Sequence, residues 1–423
     1  MHRTYLAGLT LMLFCALVFT WAVPAQAQTY TILHNFTEGT DGYYPEAGLT
    51  LYGAANLYGQ AGRNSLFRLR QLGTGWVLGP IYEFAGSPDG LYPSGRLTVG
   101  PDGALYGATA LGGLPDCADG GGCGTIYVTR PPGTFCRNPF CAWGEAVLYS
   151  FNPFEIQNEG IFPTGGLVFD TARNLYGTTT AGGATDQGIA FELSPAQGSW
   201  TETILYSFSR TSAGGTPNGN LVIDRSGNLY GTTFEGGDFQ CYSNGCGVVF
   251  ELSPTSNGWV ETVLHAFHGG SDGEQPGGGL IMDRAGNIYG GTTLGGVNGG
   301  GTVFELTPSN GGWTYNVLYS LTGIPNADLG PMGILAIDTG GNLYGCTGSE
   351  GVYSLGNVFK LSLSGGSWTY TDLHDFAGGP TDGHSPADGP SVDASGNLYG
   401  TTSEGGSNNN CPGGCGTIWE ITP

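Results

Sequence analysis

The chain has 423 residues, of which 80 are glycine, about a fifth against about 7% in an average protein. Acidic residues number 34 and basic residues 12, so the formal net charge is −22. Nucleic-acid binding depends on Lys and Arg neutralising phosphates, so this charge excludes a nucleic-acid partner and disfavours anionic membrane surfaces. Because 39% of the residues are hydrophobic and 12% are aromatic, the glycines do not indicate disorder. The composition indicates an acidic, glycine-punctuated all-β protein.

Residues 1–27 have the pattern of a secretory signal. Arg3 precedes a mostly apolar stretch, and Ala25 and Ala27 fit the small-x-small rule for cleavage. A membrane anchor is the alternative, but Thr10 and Thr20 interrupt the apolar stretch. We therefore expect residues 28–423 to form the mature protein, a secreted or periplasmic monomer with no membrane span after cleavage.

The cysteines favour local disulfides, which an exported protein can form. Eight of the nine cysteines after residue 27 stand in close pairs. Zinc is the rival interpretation, but the pairs lack two-residue spacing and neighbouring histidines. Cys346 remains unpaired inside a predicted strand and is expected to be buried. The four predicted disulfides each close a short loop: Cys117–Cys123, Cys136–Cys141, Cys241–Cys246 and Cys411–Cys415.

An Asn-Leu-Tyr-Gly string or a close variant recurs seven times, at intervals of 48 to 70 residues. Each copy belongs to a group of four short runs rich in Val, Ile, Tyr, Phe and Thr and bounded by turn residues, which is typical of strands. Four strands per repeat and seven repeats predict an all-β fold, a single-domain seven-bladed β-propeller. The repeats lie near residues 30–75, 76–144, 145–199, 200–258, 259–312, 313–367 and 368–423.

The two ends of the chain complement each other. Residues 29–36 match the fourth strand of a blade, and the last repeat stops after its third strand at residues 416–421. A linear solenoid would instead need polar caps at its ends. We therefore expect the N-terminal strand to complete the last blade and close the ring.

Several strings of the repeat resemble a known family. They are Gly-Asn-Leu-Tyr-Gly-Thr-Thr at 227–233 and 396–402, Glu-Gly-Gly at 235–237 and 404–406, and Gly-Thr-Val-Phe-Glu-Leu-Thr-Pro at 301–308. In these strings the chain resembles the Gloeo/Verruco (GloVer) tandem repeat of secreted and surface bacterial proteins. The resemblance covers essentially all of the chain after residue 27 and implies an exported, propeller-like protein. The family has no assigned reaction, so the resemblance implies no catalytic residues.

Strand order places two sets of loops on one face of the predicted propeller, which we call the loop face. These are the loops between the second and third strands of a blade and those between the fourth strand and the next blade. Five loops of the latter set carry an acidic residue four positions before a proline. If these acidic side chains converge on the channel mouth, they form a binding site for a cation such as calcium or for a polar ligand. If they do not converge, their role is to form turns. The five candidate ligand-binding residues are Asp41, Asp89, Glu159, Asp272 and Asp382.

These features favour a non-catalytic binding or interaction module whose partner is a glycan or another surface protein. A carbohydrate-active lyase or hydrolase is the alternative, and it would need paired carboxylates at the channel mouth, such as Asp41 with a neighbour. A structural protein of the envelope or matrix is a third possibility. Residues 269–273 match a G-x-S-x-G nucleophile pattern, but they lie in a glycine-rich loop rather than a strand-to-helix elbow. We therefore expect no catalytic residue and no cofactor other than calcium.

Overall fold

The computed structural model describes residues 28–53, 55–114, 117, 121–131, 143–154, 156–241, 243–323 and 330–423. The chain forms seven antiparallel sheets, arranged as the blades of a ring. The protein is a seven-bladed β-propeller, as the sequence predicted. The predicted signal at residues 1–27, and Cys136 and Cys141, lie outside the described residues. No helix within the described ranges is long and apolar enough to cross a membrane.

Each blade has an inner strand beside the central channel, followed outward by three more strands. The inner strands, three of them in two pieces, are β2 (Thr50–Leu51), β6 (Leu91–Val99), β10 (Gly160–Pro163) with β11 (Val168–Phe169), β15 (Gly215–Pro217) with β16 (Val222–Ile223), β20 (Ile281–Met282), β24 (Pro331–Ile337), and β28 (Gly383–Pro386) with β29 (Ser391–Val392). The second strands are β3 (Asn56–Ala61), β7 (Leu105–Leu111), β12 (Leu175–Gly182), β17 (Leu229–Glu235), β21 (Ile288–Thr292), β25 (Leu343–Thr347) and β30 (Leu398–Gly405).

The third strands are β4 (Ser65–Leu72), β8 (Thr125–Arg130), β13 (Ile189–Ala196), β18 (Val248–Thr255), β22 (Thr302–Ser309), β26 (Asn357–Ser364) and β31 (Thr417–Thr422). The outer strands are β5 (Gly75–Glu83), β9 (Gly144–Ser150), β14 (Ser199–Ser207), β19 (Gly258–Ala266), β23 (Gly312–Ser320), β27 (Ser367–Asp375) and β1 (Thr29–Asn35). Two 3-10 turns, Gly270–Asp272 and Gly379–Thr381, lie in loops that follow outer strands.

The first strand of the chain pairs antiparallel with the last. In this pairing Tyr30 of β1 lies opposite Ile421 of β31. The Tyr30 ring stacks on His374 of the sixth blade, with 3.7 Å between ring centroids. Just after β1, the fully buried Phe36 meets Phe67 of the first blade edge to face at 5.4 Å. The N-terminal segment therefore contacts the blades on both sides of the one it joins.

The recurring Asn-Leu-Tyr-Gly string is explained by blade stacking. Second strands are buried on both faces because each blade is covered by its two neighbours, and Leu229 and Tyr230 show this burial. The glycine that follows makes room for an aromatic ring of the third strand, since a Cβ on Gly231 would lie 2.6 Å from Cζ of Phe250. The Tyr230 ring meets Trp313 of the next blade edge to face at 5.7 Å. The string therefore fixes packing both within a blade and between blades.

A second recurring contact joins a loop residue two positions before the third strand of one blade to the segment at or before the inner strand of the next blade. Gln275, whose φ is 54°, donates its main-chain N–H to the carbonyl of Cys246 at 2.7 Å. Beside this bond Gly247 faces Pro276, because a Cβ on Gly247 would lie 2.6 Å from its Cδ. We call this hydrogen bond the blade latch. We call the contact between two neighbouring blades a seam. Five other seams have a blade latch: Tyr44 to Cys415, Tyr92 to Arg63, Phe162 to Cys123, Thr216 to Gln187, and Ser385 to Leu355.

Candidate functional site

Each of the five predicted acidic residues is held by a His or Tyr near the end of the preceding outer strand. Both carboxylate oxygens of Asp272 lie 3.1 Å from Nε2 of His265, and the main-chain N–H of His268 donates to the same carboxylate at 2.9 Å. The other four pairs are His34 with Asp41 at 3.0 Å, Tyr82 with Asp89 at 3.0 Å, Tyr149 with Glu159, and His374 with Asp382 at 3.2 Å.

The carboxylates also cap the main chain where the outer strand ends. Asp89 accepts a hydrogen bond from the N–H of Ala85 at 2.9 Å, and Asp382 accepts one from Ala377 at 2.8 Å. In the loop before the sixth blade, Glu350 from a neighbouring loop accepts hydrogen bonds from the main-chain N–H and the hydroxyl of Thr322. Accepting a hydrogen bond from an otherwise unsatisfied main-chain amide is a structural role. These carboxylates have that role in several blades.

The electrostatics of these residues agree with capping. Burial raises the pKa of Asp272, but the contacts with His265 and His268 together outweigh burial and hold the pKa below its usual value. The pKa of Asp382 is likewise held low, since the contacts with His374, the Ala377 N–H and Tyr30 together outweigh burial. Among the described residues, the one group of three metal-capable ligand atoms within 4.8 Å belongs to Cys241, Cys246 and Glu274. The five predicted carboxylates form no such group, and their ligand-binding role stays a prediction.

Three of the predicted cysteine pairs lie at disulfide distance. Their Cα atoms are 5.0 Å apart in Cys117–Cys123, 5.4 Å in Cys241–Cys246 and 5.0 Å in Cys411–Cys415. The second cysteine of each pair supplies the carbonyl that accepts a blade latch, so the disulfide holds the latch acceptor in place. Cys346 is buried and unpaired, as predicted, and burial raises the pKa of its thiol.

Three neighbouring seams between outer strands contain a half-buried glutamate. Glu202 of β14 accepts a hydrogen bond from the Tyr149 hydroxyl at 3.3 Å, and the same hydroxyl bonds Glu159. Burial, and then repulsion from Glu159, raise the pKa of Glu202 to about 8. The equivalents are Glu145, whose pKa is raised to about 7 by burial and Asp89, and Glu261, whose pKa is raised to about 7 by burial.

The next three seams have stacked rings instead. Their centroid distances are 3.7 Å for Tyr315 on His265, 4.5 Å for Tyr370 on Tyr319, and 3.7 Å for Tyr30 on His374. Our sequence analysis missed this division into two kinds of seam. For five of the six seams the signal is the residue two positions after the outer-strand tryptophan, which is Glu at 145, 202 and 261 and Tyr at 315 and 370.

The central channel contains an ion pair that our sequence analysis also missed. Nε of Arg96 lies 2.7 Å from Oδ2 of Asp388, on an inner strand two blades away. Two cavities of about 460 and 220 Å³ occupy the channel, and Arg96, Gly166, Asn220 and Ile334 line both of them. The signal for this pair was available: five repeats have glycine and one has alanine where the seventh repeat has Asp388.

The loop face differs from the opposite face in exposed side chains. Of thirteen large apolar side chains that are exposed in the described part of the chain, seven lie in loops of this face. The most exposed is Val352, at 81%. The seven are Leu114, Phe154, Ile156, Phe239, Val297, Val352 and Tyr353. Apolar side chains grouped on one face mark an interaction surface more often than apolar side chains scattered singly.

The two faces also differ in charge. Among the described residues, the loops of the loop face hold eleven acidic residues and two arginines, whereas the turns of the opposite face hold six aspartates and three arginines. The acidic loop residues are Glu38, Asp41, Glu46, Asp89, Glu159, Asp186, Asp238, Asp272, Glu274, Glu350 and Asp382. Glu159, Glu350 and Asp382 are buried, and the other eight acidic residues make the loop face the more negative surface.

Fold and loops together define a repeat-built β-propeller with one elaborated, acidic face. The chain belongs to the Gloeobacter/Verrucomicrobia repeat family, whose model matches residues 17–244 and 240–423. This finding agrees with the resemblance seen in the sequence. No curated protein matches the chain significantly.

Solved structures are similar at low sequence identity. A candidate 6-phosphogluconolactonase from Bacteroides uniformis is 16% identical with a TM-score of 0.49, over 85% of this chain and 87% of that one. A protein from Lactobacillus plantarum is 11% identical with a TM-score of 0.49, over 84% and 88%. A glucose dehydrogenase is 14% identical with a TM-score of 0.44, over 93% and 99%. At these values the likeness concerns the fold alone.

Proposed function

We propose that this protein is an exported, non-catalytic binding module whose loop face attaches to a partner protein with a basic and partly apolar surface. The observation that carries the proposal is the set of seven exposed apolar side chains on that face. Apolar side chains supply contact area, and the excess of carboxylates favours a partner of opposite charge. The three local disulfides and the predicted signal support export.

The competing enzymatic function needs a carboxylate pair that a substrate can reach. Glu159 and Glu202 do form a pair through Tyr149, but Glu159 is only 1% exposed. The other predicted loop carboxylates hold His or Tyr side chains. These contacts favour binding over carboxylate catalysis.

The test compares two triple variants on opposite faces. Phe154, Phe239 and Tyr353 become serine in the loop-face variant, while Tyr52, Leu72 and Leu363 become serine in the control variant. Immobilised parent and variants are exposed to secreted and surface proteins of the source organism, and to a glycan array, over a series of salt concentrations and with or without calcium. We expect protein capture that weakens with salt and is lost only in the loop-face variant. Equal capture by both variants, or capture of glycans alone, would contradict the proposal.

A further inference from the structure

The wall of the smaller channel cavity is built mostly from two successive residues of each inner segment, the second and third after its opening proline. We call these residues the axial ring. Most are glycine, and most line the smaller channel cavity. The second residues are Ala47, Gly95, Gly165, Gly219, Gly278, Gly333 and Asp388, and the third residues are Gly48, Arg96, Gly166, Asn220, Gly279, Ile334 and Gly389.

In one half of the axial ring, a carboxylate of the protein itself is bound by main-chain amides. Asp388 accepts hydrogen bonds from the N–H groups of Gly48 at 3.0 Å, Ile334 at 2.6 Å and Gly389 at 2.7 Å. These amides come from three consecutive blades, and Nε of Arg96 adds a fourth donor at 2.7 Å. Converging main-chain N–H groups form a recognised type of anion site, and here the anion is a side chain.

In the other half of the ring, glycine stands where the seventh blade has Asp388. A Cβ on Gly95 would lie 2.6 Å from the main-chain N of Gly166, and a Cβ on Gly219 would lie 2.7 Å from that of Gly279. Neither N–H has a hydrogen-bond partner among the described residues. These amides therefore correspond to that of Gly48, but no carboxylate among the described residues accepts a hydrogen bond from them.

Asn220 adds a side chain to the same half of the ring. It lines both channel cavities. Its Oδ1 is buried and has no hydrogen-bond donor in the part of the chain that the structure describes. Its Nδ2 makes only a long contact of 3.5 Å with the carbonyl of Leu221. The carboxamide can therefore turn Nδ2 toward a ligand at little cost in hydrogen bonds.

We propose that this half of the axial ring binds a carboxylate, supplied by a small organic acid or by the free end of a peptide chain. The donors are the main-chain N–H groups of Gly166 and Gly279 and the Asn220 amide. Arg96, whose Nε, Nη1 and Nη2 donate to Asp388, Ser391 and the Gly389 carbonyl, adds a positive charge to the same ring. The net charge of −22 repels free anions at long range, but the Debye length is only about 8 Å at physiological salt. A carboxylate carried with a compensating positive charge meets less repulsion.

The test follows the glycine amides directly. Protein labelled with 15N-glycine is titrated with acetate, with triglycine and with triglycine amide, which lacks the carboxylate. We expect the amide resonances of Gly166 and Gly279 to move with a carboxylate probe and to stay in place with triglycine amide. Movement with acetate but not triglycine assigns the site to small acids, and movement with triglycine but not acetate assigns it to chain ends.

Two isosteric variants with the same change in net charge complete the test. Asn220→Asp places a negative charge inside the ring, and we expect it to weaken carboxylate binding at least tenfold. Asn257→Asp, in a turn of the opposite face, should leave binding unchanged. The proposal is wrong if no probe shifts either resonance, or if triglycine amide shifts them as much as triglycine does. It is also wrong if the two variants bind the carboxylate probes with equal affinity. The loop-face triple variant should keep these shifts, so this result is independent of the loop-face partner.

Discussion

The glycine of the Asn-Leu-Tyr-Gly string allows blade packing to be tested with a single methyl group. We expect Gly231→Ala to lower the free energy of unfolding by about 1–3 kcal/mol, the usual cost of overpacking, because Phe250 and Leu221 fill the space above it. Denaturant unfolding measures the change. Gly312→Ala is the matched control, since nothing lies within 4 Å of a Cβ there. If the two substitutions have equal effects, the space above Gly231 is not the reason for this glycine.

The seam glutamates predict an unusual dependence of stability on pH. The pKa of Glu202 is raised from 4.5 to about 8 in the folded protein, so between these values the folded state binds a proton that the unfolded state has released. This contribution to stability is complete below pH 4.5 and is lost as the pH rises toward 8. The groups that face Glu202 are Glu159 and Tyr149.

We expect Glu202→Gln to reduce the loss of stability between pH 5 and pH 8 by roughly 1–3 kcal/mol, after allowance for solvent screening. The measurement is denaturant unfolding of parent and variant at both pH values. Glu46→Gln, at an exposed position of the loop face, controls for the change in net charge. A parent and variant with parallel pH profiles would show that Glu202 is ionised in its seam.

At the scale of elements, the blade latch predicts that a local disulfide protects one main-chain amide from hydrogen exchange. We expect replacing Cys241 and Cys246 with serine to speed hydrogen exchange at Gln275 N–H, because this amide donates to Cys246. The equivalent amide of Thr216 donates to Gln187, where no disulfide is present, and its exchange should not change. Mass spectrometry after deuterium labelling reads both amides in one experiment. Equal acceleration at both would mean that the disulfide stabilises the whole fold instead.

The strands and the blade count could be predicted because the same order of four apolar runs recurs in each repeat, although the repeats differ in length. The roles of the loop carboxylates could not, because a turn-forming aspartate and a ligand-binding one have the same sequence pattern. Glu350 shows the difficulty well: it caps Thr322 from a different loop, and no sequence spacing relates the two. The aspartate at position 388 stands out in the sequence, but its partner Arg96 could not be predicted, since the pair joins blades that are not adjacent.

At the scale of the whole molecule, the N-terminal strand predicts how the ring is held. A chain that begins at Thr37 lacks the pairing with β31 and the contacts of Tyr30 and Phe36. About five ladder hydrogen bonds at about 1 kcal/mol each are lost, so we expect the melting temperature to fall by several degrees. A synthetic peptide of residues 28–36 should restore part of the loss, whereas a scrambled peptide should not. A melting temperature like that of the parent would mean that β1 is not needed to hold the ring.

The pairing of β1 with β31 also determines when the ring can close during synthesis of the polypeptide. The residues that meet, such as Tyr30 and Ile421, are far apart in sequence and are therefore made at different times. At about 5–20 residues per second, β1 waits roughly 20 to 80 seconds for its partner strand to appear. During that wait β1 is an unpaired strand, and unpaired strand edges readily recruit strands from other molecules. Until β31 is made, β1 can therefore pair with a strand of another copy of the chain.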